Sequence, residues 1–339
     1  MATESAAIDA QTQGPTILAA CWVLVVIPGL IVALRLWCKL GLSRRGFGWD
    51  DLLICLAWAL QLVYTALNTK AVQMGVVGKH VFAIEDPELI PPALKLVYIS
   101  YVIIIISCVF SKTSFAFTLM RIVTRTWMKA LLWVIIITMN AVMWLCAICY
   151  LAQCRPAAAL WDASLLATAK CWPTYVFETI ALVAGAYSGC MDFILALLPW
   201  VVLWNLEMKK REKAGIALAM SMGVFAAVTA FIKTSKLVNV SQVQDFTWFC
   251  STLTIWASAE TGCTIFAASI PSLRILFVRI SSSYHHSDDT SDTYNGEAIT
   301  LQAHKEGSSA QSIQSEPGIT TTQEVSVEHN GAQVRQLGA

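Results

Sequence analysis

Charge is what this sequence has least of. Asp, Glu, Lys and Arg make up 13% of its 339 residues, about half the roughly 25% of an ordinary soluble domain. A water-soluble globule needs more ionised surface than that. The charges also nearly cancel, 23 basic against 22 acidic for a net +1, which excludes a basic nucleic-acid binder. Histidine is scarce: His80, His285, His286, His304 and His329 are the full set, and all fall outside the apolar runs. The HExxH, GxSxG and glycine-rich nucleotide-binding patterns are absent. Catalytic, metal-ligating and cofactor-binding residues are therefore expected to be none, and the chain is expected not to be an enzyme.

Apolar residues fill the gap. They form 57% of the chain, and the mean hydropathy is +0.62. A helix crossing about 30 Å of hydrocarbon needs about 20 mostly apolar residues. Seven runs qualify: Ile17–Leu34, Leu52–Thr69, Leu96–Met120, Ala130–Leu151, Val176–Leu206, Ala214–Ile232 and Phe246–Leu273. A soluble helical core fails as the alternative, because seven such runs would leave almost no surface to wet. The predicted fold is all-α and membrane-embedded, a bundle of seven transmembrane helices. Residues 1–16 form a short extracellular N-terminus, 17–278 the seven-helix domain and 279–339 a cytoplasmic tail. The first run lacks a basic leader and is too long for a signal-peptide core, so it reads as a retained span.

Lys and Arg set the orientation. Thirteen flank one set of span ends: Arg35, Lys39, Arg44, Arg45, Arg121, Arg125, Lys129, Lys209, Lys210, Arg211, Lys213, Arg274 and Arg279. Seven lie on the other side, with Lys233 and Lys236 counted in an outside loop. This predicts the amino terminus outside and the carboxyl terminus inside. The outside loop over 152–175 holds Cys154 and Cys171, a pair expected to bridge where disulfides persist. The loop over 70–95 reads as irregular, broken by Gly75, Gly78, Pro87, Pro91 and Pro92. Asn239-Val-Ser241 is an N-glycosylation sequon in another outside loop. From Ser281 onward the apolar period stops, and 16 of the 59 residues are Ser or Thr. Such a segment buries too little to offset its ordering entropy and is predicted to be disordered.

Ionisable groups at membrane depth need a partner or a wet cavity. Lys112 in the third span, Asp192 in the fifth and Glu260 in the seventh form the predicted intramembrane polar core. At 1.5 Å per residue Lys112 and Asp192 fall within about 10 Å in depth. Two readings stand: a switch or ligand-binding centre, and a static pair that fixes helix packing. Glu178 lies near the outer end of its span and reads as water-facing. Asp50 and Asp51 open the second span, where they cap free N–H groups at the positive end of the helix dipole. Arg121 and the basic loop with Lys209, Lys210 and Arg211 are the candidate cytoplasmic coupling residues.

Several motifs in order resemble one family. Gly48-Trp49-Asp50-Asp51 precedes the second span, and Lys112-Thr-Ser114 precedes Arg121 in the third. Gln153-Cys154-Arg-Pro156, Trp161-Asp162 and Cys171 mark the next outside loop. Asp192 and Leu198-Pro199 lead to Leu203-Trp204-Asn-Leu206-Glu-Met208. Ile255-Trp256, Glu260 and Ile270-Pro271-Ser-Leu273-Arg274 close the seventh span. Over about residues 17–278 the chain resembles the fungal rhodopsin-like integral membrane proteins, a family named after a satratoxin-cluster protein and overlapping receptor-like proteins linked with fungal pathogenicity. The resemblance implies a seven-helix protein of receptor type, with a G protein as partner, and in some members a place beside secondary-metabolite genes. The cysteine-rich extracellular module of some relatives is absent before the first span.

Retinal needs a lysine in the seventh span for its Schiff base. None occurs between Lys236 and Lys305, so no retinal cofactor is expected. The family's functional classes then reduce to two. One is a receptor-like sensor with an unidentified small-molecule ligand. Against it, the third span ends in Met120-Arg121-Ile122 rather than an acidic-Arg-Tyr triplet, and the seventh lacks Asn-Pro-x-x-Tyr. The other is an accessory membrane protein of a secondary-metabolite cluster, of the trichothecene or satratoxin type, that transports, senses or shields against the product. Expected partners are membrane lipid, the ligand and the G protein, with no nucleic acid. Its expected location is the plasma membrane or an endomembrane.

Overall fold

A computed structural model describes residues 12–42, 47–79, 84, 86–123, 125–203, 210–237, 248 and 250–273. Six helices are long and apolar enough to cross a membrane. They are α1 (Gly14–Trp37), α2 (Trp49–Gln73), α3 (Ile90–Ile122), α4 (Thr126–Ala152), α5 (Thr174–Leu203) and α6 (Lys210–Leu237). A further helix, α7, runs over residues 250–273. The chain is a multi-pass membrane protein. Asn239, Lys209 and the 279–339 tail lie outside the described residues, as do the side chains of Lys210 and Arg211.

Helices α1 and α4 each bury one stripe and leave the opposite face apolar and exposed, as a lipid-facing helix does. In α1 the buried positions are Gly14, Ile17, Cys21, Val25, Pro28, Val32 and Arg35. Their spacing of three and four puts them on one face. The other face shows Val23, Val26, Ile27, Leu30, Leu34 and Trp37 exposed. The same split recurs in α4, where Met128, Leu132, Ile135, Met139, Met143 and Cys146 are buried while Val134, Ile137, Leu145 and Ile148 are exposed. A soluble monomer does not show apolar bands of this extent.

Helix α7 differs from the rest. None of its described residues is exposed. Protein surrounds it, so it needs no apolar coat and carries Ser251, Thr254, Ser258, Glu260, Thr261, Thr264 and Ser269, all buried. Many of these hydroxyls donate back to carbonyls of their own helix, as Thr264 does to Glu260. Others join helices: Gln61 Nε2 donates to the carbonyls of Leu24 and Ser258 at 3.1 Å each, and Tyr64 donates to the Thr254 carbonyl. Polar bonds of this kind hold helices together where burial from lipid gains nothing.

Two boundaries differ from the sequence reading. The loop before α3 is shorter than expected, because Pro91 and Pro92 lie in the first turn of that helix. A first-turn N–H has no intrahelical partner to lose, so proline starts a helix there instead of breaking it. Helix α6 runs past Ile232 to Leu237, which draws Lys233 out of the predicted outside loop. Hydropathy ends at the first lysine, but the helix continues because that lysine finds a carboxylate.

The Cys154–Cys171 disulfide is present. It sits in a two-strand antiparallel pair, β1 (Cys154–Arg155) with β2 (Lys170–Cys171), whose register places the two cysteines opposite each other. This loop marks one end of the bundle, called here the disulfide end. The tight turn after α2 also supports that end. Gly78 has φ +90°, and the Gln13 N–H donates to its carbonyl at 2.9 Å. A Cβ on Gly78 would lie 2.9 Å from the Gly14 backbone nitrogen. Gly78→Ala is therefore expected to cost about 1–2 kcal/mol from the left-handed backbone alone. Gly215→Ala in α6 meets nothing within 4 Å and should gain up to about 1 kcal/mol of helix propensity. Thermal unfolding in one detergent should move the two variants in opposite directions.

Candidate functional site

The predicted polar core assembles and recruits two residues that the sequence reading did not include. Lys112 on α3 is wholly buried. Its Nζ donates to Asp192 Oδ2 on α5 at 2.7 Å, to Glu260 Oε1 on α7 at 2.8 Å, and to Ser188 Oγ. Those three partners use all three of its donors. Ser188 Oγ passes a hydrogen bond on to Glu260 Oε1 at 3.0 Å. Lys233 on α6 donates to the other carboxylate oxygen, Glu260 Oε2. The result is two cations and two carboxylates, formally neutral, joining α3, α5, α6 and α7. A lone charge at this depth would be costly, whereas a fully bonded neutral set is tolerated. Ser188 could have been found from its place one turn before Asp192. Lys233 was hidden by its place one residue beyond the apolar run.

A second buried cluster closes the opposite end. Arg35 on α1 has no exposed surface. Its Nε donates to Asp51 Oδ1 at 2.9 Å, its Nη2 to Asp50 Oδ2 at 2.5 Å, and its Nη1 to the Ala268 carbonyl on α7. Lys39 reaches Asp50 Oδ2 at 2.9 Å and Asp51 Oδ1 at 2.7 Å. The capping role expected of the aspartates is present in part, because the Gly48 N–H donates to Asp51 Oδ2 at 3.1 Å. Their larger task is to neutralise Arg35 and Lys39. The signal was legible: opposite charges at adjoining ends of consecutive spans. Arg121, at the end of α3, is 55% exposed, and its Nη2 lies 2.6 Å from Asp50 Oδ1. That is an ion contact, not an aligned hydrogen bond, since Asp50 Oδ1 has no hydrogen-bond donor.

Between the disulfide end and the polar core lies a half-open cavity of about 250 Å³. Gln153 and Thr174 stand at its outer part, and Glu260, Lys233 and Cys108 form its deep end. Four aromatic residues line it. Tyr150 is their hub, with ring centroids 5.4 Å from Tyr98, 6.3 Å from Tyr101 and 5.2 Å from Phe177. Glu178 also lines it. Glu178, expected to face water, is partly buried: its Oε1 is closed off from solvent and has no hydrogen-bond partner among the described residues. The helix places Glu178 beside Phe177, on the side turned toward the cavity. No spacing pattern in the sequence brings Tyr98, Tyr150 and Phe177 together, since they come from three helices.

These features, a helical membrane bundle with a charged core and a cavity above it, can be compared with known proteins. The sequence profile described as the fungal rhodopsin domain matches residues 34–279. The chain belongs to that family. The chain is also similar to Fugralins biosynthesis cluster protein 2 of Gibberella zeae (strain ATCC MYA-4620 / CBS 123657 / FGSC 9075 / NRRL 31084 / PH-1), at 29% identity over 82 residues. That stretch is 24% of this chain, and the chain spans 20% of the length of that relative. No solved structure matches. Among the described residues of this fungal rhodopsin domain, no group of three or more His, Cys, Asp or Glu is placed to hold a metal ion.

The second cluster generates a direct test. Arg35→Met leaves two buried aspartates with Lys39 and the half-exposed Arg121, and should cost about 3–5 kcal/mol, as removal of one partner of a buried pair does. Arg121→Gln removes a half-exposed partner and should cost no more than about 1 kcal/mol. Unfolding midpoints in detergent should separate the two variants clearly; equal losses would show that burial of Arg35 is not what matters.

Proposed function

We propose that the protein is a non-enzymatic, receptor-like membrane sensor whose ligand enters the cavity from the disulfide end. The observation that carries this reading is the position of the cavity directly over a neutral ion network joining four helices. A ligand that touches Lys233 or Glu260 changes the balance of the whole network, because Glu260 is shared by Lys112, Ser188 and Lys233. Charge clusters with alternative pairings are elements that ligand binding can bias between states. The opposite end then carries the response. Arg121 is exposed there, and Lys209, Lys210 and Arg211 follow α5 in the chain. With the positive-inside bias of the sequence, this end faces the cytosol and offers a basic surface to a G protein. The amino terminus lies outside, and the membrane is the plasma membrane or an endomembrane.

A second reading draws on the similarity to a fugralin biosynthesis cluster protein. It makes the protein an accessory membrane component of a secondary-metabolite cluster, which senses, moves or gives protection from the product. The two readings share the cavity and differ at the cytosolic face. Co-expressed with the Gα subunits of a fungal host, the full chain should co-purify with one of them. Replacing Lys209, Lys210 and Arg211 with Gln should cut recovery at least about tenfold, the effect of losing one or two charge contacts, at an unchanged thermal midpoint. Recovery that ignores the triple replacement, alongside an altered metabolite profile on gene deletion, would favour the accessory role.

A further inference from the structure

The cavity also carries information on the chemistry of its occupant. Lys112 and Lys233 are matched by Asp192 and Glu260. The deep end is therefore neutral, and the Lys233 ammonium is already engaged by Glu260. Glu178 is the charge left over. It lines the same cavity with a carboxylate oxygen that is shut off from water and unpaired among the described residues. A carboxylate oxygen closed off from water without a donor calls for one, best a charged one, and Glu178, partly buried, presents one such oxygen to the cavity. The aromatic group around Tyr150 adds a second attraction of the same sign. Aromatic rings present negative faces, and a cation within about 6 Å of a ring centroid is held by them. The Tyr101 hydroxyl, buried and without a hydrogen-bond partner among the described residues, supplies one more polar contact.

We infer that the cavity takes a small organic cation, with its ammonium group between the Glu178 carboxylate and the rings of Tyr98, Tyr150 and Phe177 and its apolar body toward Ile105, Met143 and Leu253. This rests on the reading of the cavity as the ligand site. An organic anion is disfavoured, because the one lysine in the cavity has its carboxylate and Glu178 repels. A neutral alcohol satisfies Glu178 but gains nothing from the rings as a cation does.

The test uses the full chain in lipid nanodiscs and three probes of nearly one shape: 2-phenylethylamine, 2-phenylethanol and phenylacetate. Binding is read by tryptophan fluorescence titration and by the thermal midpoint. The amine is expected to bind at least about tenfold more tightly than the alcohol, and phenylacetate not to bind. Glu178→Gln should weaken the amine at least about tenfold and leave the alcohol unchanged. Tyr150→Leu should weaken the amine more than the alcohol. The inference is overturned if the alcohol matches the amine, if phenylacetate binds more tightly, or if Glu178→Gln keeps full affinity for the amine. Should only the neutral probe bind, the cavity remains a ligand site and its cation preference falls. If none of the three binds, the sensor reading of the cavity falls with it.

Discussion

One lysine sets the terms for this bundle. Lys112 sits without solvent access at membrane depth, where an unpaired ammonium would be intolerable. It survives because Asp192, Ser188 and Glu260 take up its three donors. Satisfying it requires α5 and α7 to approach α3 at one depth and one rotation. Satisfying Glu260 in turn requires Lys233 and therefore the extra turns of α6. Four helices are thus positioned by one chain of ion pairs, in a medium where apolar burial gives them little reason to prefer one another.

The other buried cluster does the same for the remaining ends. Arg35 ties α1 to Asp50 and Asp51 of α2 and to the Ala268 carbonyl of α7. Helix α7 contacts both clusters, and none of its described residues is exposed. Its Ser- and Thr-rich composition follows from that place. A helix wrapped by protein can use hydroxyl groups, while α1 and α4, with one face in lipid, must keep that face apolar. Aromatic rings from α3, α4 and α5 line the cavity between the polar core and the disulfide-linked loop.

Much of this was legible in the residues. Long apolar runs marked the helices, since span length is imposed by the thickness of the hydrocarbon. Rare charges at membrane depth marked Lys112, Asp192 and Glu260, since each such group demands a partner. The disulfide followed from two cysteines in one connecting loop. The failures share a cause. Lys233 and Arg35 lie at the edges of apolar runs, where a hydropathy count assigns them to water. For Arg35 the adjoining Asp50 and Asp51 were a signal that the count passed over; for Lys233 the partner, Glu260, lies on another helix. Glu178 and the rings around Tyr150 converge from different helices, which no local periodicity records. Pro91 and Pro92 were misread because proline breaks a helix in its interior but suits its first turn.

The pairing of Lys112 with Asp192 is the claim on which the account stands, and a double-mutant cycle measures it. Lys112→Met, Asp192→Asn and the combined variant would be purified in one detergent and unfolded by denaturant. Lys112→Met should cost about 3–5 kcal/mol, because Asp192 loses its counter-charge. The combined variant should cost less than the sum of the single changes by well over about 0.5 kcal/mol. Losses that add to within that margin would contradict the account and leave Lys112 and Asp192 as independent neighbours.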